Sequence, residues 1–144
     1  MNYTGQKKNE QYWGAFLEEL PCDELGLKRP SISNLHYRDI HMNITGCYIR
    51  VSQRVDPAGI CAAFVMKGSA QDFFHSLINQ QAAIENELGE NFYCYEAIQG
   101  ETQLHLKLKD CDVTDETDWP RQHEWLVTKL EKLNEVFRPR IERL

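Results

Sequence analysis

The sequence predicts an α+β fold: an antiparallel-rich sheet with three helices, in the order α-βββ-α-ββ-α. Three segments carry apolar residues at helical spacing, which indicates amphipathic helices. The other apolar runs are short and are separated by turn residues, as in β-hairpins. Because hairpins join antiparallel strands, this pattern favours an α+β fold over a doubly wound parallel sheet.

The first helix is predicted from about Gly5 to Leu20. Thr4 is a possible N-cap, and Pro21 ends the helix because proline has no backbone N–H. One face of this helix is apolar and is predicted to be buried. Its residues are Tyr12, Trp13, Phe16, Leu17 and Leu20.

A β-hairpin is predicted around Thr45 and Gly46, which suit a two-residue turn. The register that follows from this turn pairs Ile44 with Cys47, Met42 with Ile49, Ile40 with Val51, and His41 with Arg50. The apolar residues then share one face and leave a polar face opposite. The next strand, ICAAFVMK at 60–67, follows the turn DPAG and is apolar almost throughout, which is typical of a central strand covered on both faces.

The second helix is predicted from Ser69, the expected N-cap, to Gly89, which suits a left-handed C-terminal position. Asp72 lies three residues after the cap, where an acidic side chain supports the start of a helix. Its apolar stripe predicts one buried face. The stripe consists of Phe73, Phe74, Leu77, Ile78, Ile84 and Leu88.

A second hairpin is predicted from FYCYEAI and TQLHLKLK, which flank Gln99 and Gly100. Alternation in the latter strand puts Leu104, Leu106 and Leu108 on the face opposite to Gln103, His105, Lys107 and Lys109. The register predicted from the turn places Tyr93 and Tyr95 with the leucines, and Cys94 with His105.

The third helix is predicted to begin at Asp118 as N-cap, with Pro120 in the first turn. Pro139 would clash with the carbonyl of Glu135, so we expect the helix to bend in its last turn or to end near Phe137. Its predicted buried face consists of Leu126, Leu130, Leu133, Phe137 and Ile141.

The bulk composition fits a single globular domain over residues 1–144. A chain of this length can bury a hydrophobic core without disulfides. The formal net charge of −6 argues against a polyanion-binding surface over the whole protein, because such binding needs many Lys and Arg side chains. A local basic strip is compatible with this charge.

The cysteines and the N-terminus together predict a cytoplasmic protein. The five cysteines are odd in number and form no C-x-x-C pair, which favours reduced thiols. The segment MNYTGQKKNEQYW lacks the apolar stretch of a signal peptide. No apolar run approaches the roughly 20 residues that cross a bilayer, so we expect no membrane contact.

Five residues of the predicted polar face are candidates for ligand binding: His41, Arg50, Arg54, His105 and Lys107. Sheet faces that carry cations beside aromatic rings, here Tyr37 and Tyr48, bind anionic ligands or stacked bases. The alternative is that these residues are only the solvated side of a half-buried sheet.

A metal-assisted hydrolase of nucleic acid or nucleotides is the alternative function, and it would use Asp39, His41 and His105. Strand alternation turns His36 away from Asp39 and His41, so the stretch HYRDIH does not by itself form a site. Because paired Cys or His ligands at short spacing and glycine-rich phosphate loops are missing from the sequence, we predict neither a metal nor a cofactor.

A cysteine nucleophile is a further possibility. Cys61 is expected to share a face with Arg50 and Arg54, and neighbouring cations lower the pKa of a thiol. The alternative is that the cysteines act as small hydrophobic residues in the core. We therefore predict no catalytic residue.

Three segments resemble the domain of unknown function 4268 family of bacteria and archaea. They are YWGAFLEEL at Tyr12, AAIENELGENFYCYE from Ala82, and DWPRQHEWLVTKLEKLNEVFRPRI from Asp118 to Ile141. The resemblance covers nearly the whole chain, and its last segment is the most specific. Two departures from the family pattern are Tyr95, where a Trp is common, and a less basic hairpin at AIQGETQL.

Domains of this family often follow a restriction-endonuclease-like module, so the resemblance implies a link to DNA processing or phage defence. It supplies no catalytic residues. We therefore expect an accessory or interaction domain that is not an enzyme. Its expected partner is a protein, which includes a second copy of the chain, or an anionic ligand such as nucleic acid.

Overall fold

The computed structural model describes residues 3–144, with side chains from residue 8 onward. Its helices lie mostly at the two ends of the chain. The α-helices are α1 (Tyr3–Glu19), α2 (Cys22–Leu25), α3 (Phe73–Ile78), α4 (Gln81–Leu88) and α5 (Trp119–Glu142). Short 3-10 helices span Gly68–Asp72 and Glu116–Asp118.

The strands form one five-stranded sheet in which every neighbouring pair is antiparallel. They are β1 (Tyr37–Ile44), β2 (Cys47–Val55), β3 (Ala58–Lys67), β4 (Tyr93–Ile98) and β5 (Glu101–Lys109). Their order in the sheet is β1-β2-β3-β5-β4, so the prediction that residues 60–67 form the central strand is confirmed. The predicted α+β class is also confirmed.

The helices cover one face of the sheet. Helix α5 packs on β2 and β3, and α1 and α4 pack against α5. The ring of Phe137 stacks on that of Phe64, with the ring centroids 4.5 Å apart. The predicted apolar face of the first helix is buried in the same core. These contacts lie on one side of the sheet, and the helices in the described part of the chain form no layer on its opposite face.

The first helix begins earlier than predicted. It starts at Tyr3, so Thr4 lies within its first turn and is not its N-cap. It ends at Glu19, and the short helix α2 follows Pro21. Helix α2 was not predicted, because four residues are too few to show helical periodicity.

The predicted second helix is interrupted. A 3-10 helix comes first, and Ser69 lies inside it without capping α3. The backbone then leaves helical geometry at Gln80, with φ −105° and ψ 14°, which separates α3 from α4. Gly89 takes the predicted left-handed conformation at the end of α4, with φ 78°.

Helix α5 passes through Pro139 and continues to Glu142, so the predicted end near Phe137 is wrong. Pro139 and Glu135 both lie on the exposed side of the helix, where water can satisfy the carbonyl that loses its donor. Burial of Ile141 gives the last turn a hydrophobic anchor. Asp118 precedes the helix without capping it, since its carboxylate accepts hydrogen bonds from Arg121 and Gln122 side chains.

A bulge changes the register of the first hairpin. Asn43 has φ 61°, and its side-chain amide donates a hydrogen bond to the Gly26 carbonyl at 3.0 Å. The pair of Ile44 with Cys47 is as predicted, but beyond the bulge Asp39 pairs with Arg50. The predicted pairing of His41 with Arg50 is therefore wrong, and His41 pairs with Tyr48.

A second bulge changes the other hairpin. Ala97 has φ 56°, and its backbone N–H donates to the Thr102 hydroxyl at 3.2 Å. Tyr93 consequently pairs with His105, and Tyr95 pairs with Gln103. The two tyrosines therefore share a face with His105 and not with the leucines, and Cys94 lies opposite Leu104.

Gly46 is required where the first hairpin meets the 3-10 helix. Its φ is 78°, and a Cβ atom there would lie 2.7 Å from the Ala70 Cβ and 2.8 Å from the Lys67 carbonyl oxygen. Only glycine fits both the conformation and the space. No helix in the described part of the chain is long and apolar enough to cross a membrane.

We expect Leu130→Ala to lower the free energy of unfolding by about 2–5 kcal/mol, because Leu130 is fully buried under the sheet. Chemical denaturation measures this change. The matched control is Glu124→Ala on the exposed side of the same helix, with an expected effect below about 0.5 kcal/mol. Equal effects of the two substitutions would contradict the packing of α5.

His123 makes the fold sensitive to acid. It is buried beside Tyr12, and burial lowers its pKa to about 4. Below about pH 6.5, which is the ordinary pKa of histidine, the unfolded chain binds a proton at this residue that the folded chain does not bind. The free energy of unfolding therefore decreases as the pH is lowered. This loss reaches about 3 kcal/mol near pH 4.

We therefore expect His123→Gln to flatten the decrease in unfolding free energy between about pH 6.5 and about pH 4. Urea denaturation at several pH values measures this slope. Burial also lowers the pKa of His105 to about 4. The contribution of His105 to the pH dependence of stability is present in both proteins and does not affect the comparison. Identical slopes in the two proteins would show that His123 does not carry the effect.

Candidate functional site

The face of the sheet that points away from the helices, here called the open face, is lined by polar and aromatic side chains. Register places them together, because residues directly opposite on neighbouring strands share a face. They include Tyr37, Asp39 and His41 on β1, Tyr48, Arg50, Ser52 and Arg54 on β2, Cys61 on β3, Tyr93 and Tyr95 on β4, and Glu101, Gln103, His105, Lys107 and Lys109 on β5. A groove of about 1640 Å³ runs along much of this face.

One half of the open face holds an ion-pair network, formed by Asp39, Tyr48, Arg50 and Glu101. The Arg50 guanidinium donates two hydrogen bonds to the Asp39 carboxylate, at 2.8 and 3.2 Å. It also donates to Glu101 at 3.1 and 3.3 Å, and the Tyr48 hydroxyl donates to Glu101. Arg50 thus links the edge strand β1 to β5 across the sheet.

The network stabilises the charged forms of its members. Burial alone would lower the pKa of Arg50, but hydrogen bonding and attraction to Asp39 raise it above its ordinary value. Burial alone would raise the pKa of Glu101, but hydrogen bonds from Tyr48 and Arg50 lower it. Arg50 is therefore a neutralised cation that holds the sheet together.

The other half of the open face holds a cationic cluster, formed by Arg54, Lys107, Lys109, Tyr93 and Tyr95. The Lys107 ammonium lies 4.5 Å from the ring centroid of Tyr93 and 4.8 Å from that of Tyr95, and it donates to the Tyr95 hydroxyl. Lys109 lies 5.5 Å from the Tyr93 ring centroid. Within the described residues, no carboxylate pairs with these three cations.

A chain of hydrogen bonds joins the two halves. The Gln103 side-chain amide donates to Glu101 at 2.9 Å, and its oxygen lies 2.7 Å from Nε2 of His105. The other ring nitrogen, Nδ1, lies 3.1 Å from Sγ of Cys61. Burial lowers the pKa of His105 to about 4 and raises the pKa of Cys61 to about 11, so both side chains are neutral at physiological pH.

The structure does not bring the five candidate residues into one cluster. His105 lies in the hydrogen-bond chain between the two halves. Arg54 and Lys107 belong to the cationic cluster and lie close enough to His105 to contribute to its lowered pKa. Arg50 belongs to the ion-pair network. His41 is at the far end, exposed, with its ring centroid 5.7 Å from that of Tyr48.

Sequence reasoning missed the tyrosine pair and the contact between Cys61 and His105. Both depend on the register of the strands. The bulge at Ala97 places Tyr93 and Tyr95 on the open face, and the local sequence has no feature that predicts this bulge. The alternation of Lys107 and Lys109 with leucines in β5 was the feature of the sequence that indicated a basic face. Cys61 and His105 are diagonal neighbours, because His105 pairs with Ala63, two residues along β3 from Cys61. Their contact therefore depends on how the two strands pair.

The residues proposed for metal-assisted hydrolysis do not converge. Asp39 on β1 and His105 on β5 are three strand spacings apart, roughly 14 Å. Asp39 is occupied by Arg50, and His105 by Cys61 and Gln103. Among the residues with described side chains, no group of three or more His, Cys, Asp or Glu is placed to hold a metal ion.

Comparison with known proteins gives one match. A family model, Domain of unknown function (DUF4268), matches residues 9–141 of this chain. No curated protein and no solved structure matches it. The matched region contains every strand and the whole of the open face.

We expect Arg50→Leu to lower the free energy of unfolding by about 2–3 kcal/mol, because the half-buried carboxylates of Asp39 and Glu101 would lose the cation that compensates their charge. The matched control is Arg54→Leu on the same strand. Arg54 is exposed and has no ion pair, so its replacement should change stability by less than about 0.5 kcal/mol. If denaturation gives equal changes, the network does not support the sheet.

Proposed function

This chain belongs to the DUF4268 family, and from that premise we propose that it is an accessory binding module for an anionic ligand that contains a nucleobase. The ligand chemistry we propose is phosphate joined to an aromatic base, as in a nucleotide or a single strand of nucleic acid. The cationic cluster is the observation that carries the proposal. The proposed setting is a cytoplasmic DNA-processing or phage-defence system.

Three features of the cationic cluster support this ligand. Its cations are free of carboxylate partners within the described chain, so a phosphate would not have to displace an ion pair. Tyr93 and Tyr95 expose 45% and 38% of their surface, which leaves ring area available for a base. Aromatic rings beside cations bind single-stranded nucleic acid with little dependence on sequence.

The distribution of charge also supports a local site. The chain has a formal net charge of −6, so its surface as a whole repels a polyanion. Within the open face, Arg50 is neutralised by two carboxylates, and Lys67, opposite Glu101, is a single cation in that half. Arg54, Lys107 and Lys109 lie together in the other half. An anionic ligand would therefore be directed to Arg54, Lys107 and Lys109.

We expect Lys107→Ala with Lys109→Ala to weaken binding of a fluorescently labelled single-stranded oligonucleotide by about tenfold or more at low salt. Anisotropy measures the affinity, and an adenine mononucleotide as competitor distinguishes a mononucleotide ligand from a longer strand. The control Lys132→Ala removes a lysine from α5, on the helical side of the molecule. Unchanged affinity in the double variant would refute the site.

The variant Tyr95→Leu tests the aromatic contribution to binding. We expect it to weaken binding of the mononucleotide by about 1–3 kcal/mol in binding free energy. The same variant should bind inorganic pyrophosphate as the unmodified protein does, because pyrophosphate has no base to stack. Isothermal titration measures both affinities. Equal losses for the two ligands would show that Tyr95 only positions Lys107.

A further inference from the structure

We infer that Cys61 and His105 form an acyl-transfer site in the groove, in which the Cys61 thiol accepts an acyl group from an anionic ester. The inference goes beyond ligand binding. Only the preference for an anionic donor depends on the proposed function, because it requires the same cations. The pair itself depends on the geometry around His105.

The hydrogen bonds fix which nitrogen of His105 faces the thiol. Because the Gln103 amide nitrogen donates to Glu101, its oxygen is the atom that faces His105 and accepts the Nε2 proton, at 2.7 Å. The lone pair on Nδ1 then points at Sγ of Cys61, 3.1 Å away. Cys61 as nucleophile thus contacts His105 as base, and His105 in turn contacts Gln103, which orients it.

Cys61 differs from the other four cysteines in its surroundings. Cys22, Cys47 and Cys111 are buried, and Cys94 is exposed on the edge strand beside Glu96. Cys61 lines the groove and is only partly buried. A ligand that enters the groove can therefore reach Cys61 together with His105.

The neighbours of Cys61 supply hydrogen-bond donors for a reacting carbonyl. Ser52 on β2 and Lys107 on β5 lie directly opposite Cys61 on its two flanking strands. Burial raises the pKa of the Cys61 thiol, and Lys107, Ser52 and Arg54 act to lower it. A hydroxyl and an ammonium carried by the two flanking strands are suited to stabilise negative charge that develops on a carbonyl oxygen.

The charges around His105 favour an anionic donor. The groups that face it or lie next to it include the cations Arg50, Arg54 and Lys107, the Cys61 thiol and, through Gln103, the carboxylate of Glu101. Tyr93 lies opposite it on β4, and the Tyr95 ring lies beside it. The cations oppose a positive imidazolium, which would form when the base takes the thiol proton. A donor whose negative group neutralises Lys107 and Arg54 removes this opposition at the moment of reaction.

The step balances without an oxidant or a metal. The Cys61 sulfur attacks the carbonyl carbon of the ester, and its proton passes to Nδ1 of His105. The bond between the carbonyl carbon and the ester oxygen then breaks, and Nδ1 returns the proton to the leaving oxygen. The products are a thioester on Cys61 and a free alcohol.

The test uses two activated esters, mono-4-nitrophenyl succinate, which is anionic, and 4-nitrophenyl acetate, which is neutral. Peptide mass mapping measures acylation of Cys61 and of Cys94, which serves as the control within the same molecule. We expect faster acylation of Cys61 than of Cys94 by the anionic ester, and a loss of at least about tenfold in His105→Phe. Phenylalanine keeps the ring contact with Tyr95 but cannot act as a base.

The pH dependence in the unmodified protein tests the base without any substitution. With His105 as base, the rate at Cys61 should be nearly constant from about pH 5 to about pH 8, because the imidazole is neutral over this range. The rate at Cys94 should rise about tenfold per pH unit, as for an unassisted thiol. A profile at Cys61 like that at Cys94, or preferential labelling of Cys94, would overturn the inference.

The two esters separate this inference from the proposed function. Assisted acylation of Cys61 at equal rates by both esters would support the pair and remove the anion preference that the binding proposal requires. Nucleotide binding that depends on Lys107 and Lys109, without assisted acylation of Cys61, would support the binding proposal and overturn the pair.

Discussion

The pairing of Arg50 with Asp39 and Glu101 is the interaction on which the open face depends. A sheet with helices on only one side must keep its other face ordered without a second hydrophobic layer. Arg50 does this by joining β1, β2 and β5 through one guanidinium and two carboxylates. Since its charge is compensated, Arg50 supports the sheet, and the ligand that we propose would be bound by other cations.

The hydrogen bonds that continue from Glu101 connect this network to Cys61 and His105. Glu101 orients Gln103, Gln103 orients His105, and His105 meets Cys61. Beyond them, Lys107 is held between the rings of Tyr93 and Tyr95. The open face thus has one half in which Arg50 is neutralised by two carboxylates, and another in which Arg54, Lys107 and Lys109 have no carboxylate partner among the described residues.

Much of the fold could be read from the sequence, because the central strand, the turns at Gly46 and Gly100 and the buried face of α5 each have a local signal. The register could not be read, since the bulges at Asn43 and Ala97 come from left-handed residues that are not glycine. These bulges decide which side chains meet across strands. The candidate cations were therefore found individually, while the tyrosine pair, the role of Arg50 and the contact of Cys61 with His105 required the structure.

The proposed ligand site lies in the cationic half of the open face. It can be tested by nuclear magnetic resonance of the protein with isotope-labelled tyrosine rings, titrated with an adenine mononucleotide. We expect shifts in the ring signals of Tyr93 and Tyr95, while those of the buried Tyr12 and of Tyr48 in the ion-pair network stay unchanged. Shifts confined to Tyr37 and Tyr48, or no shifts, would contradict it.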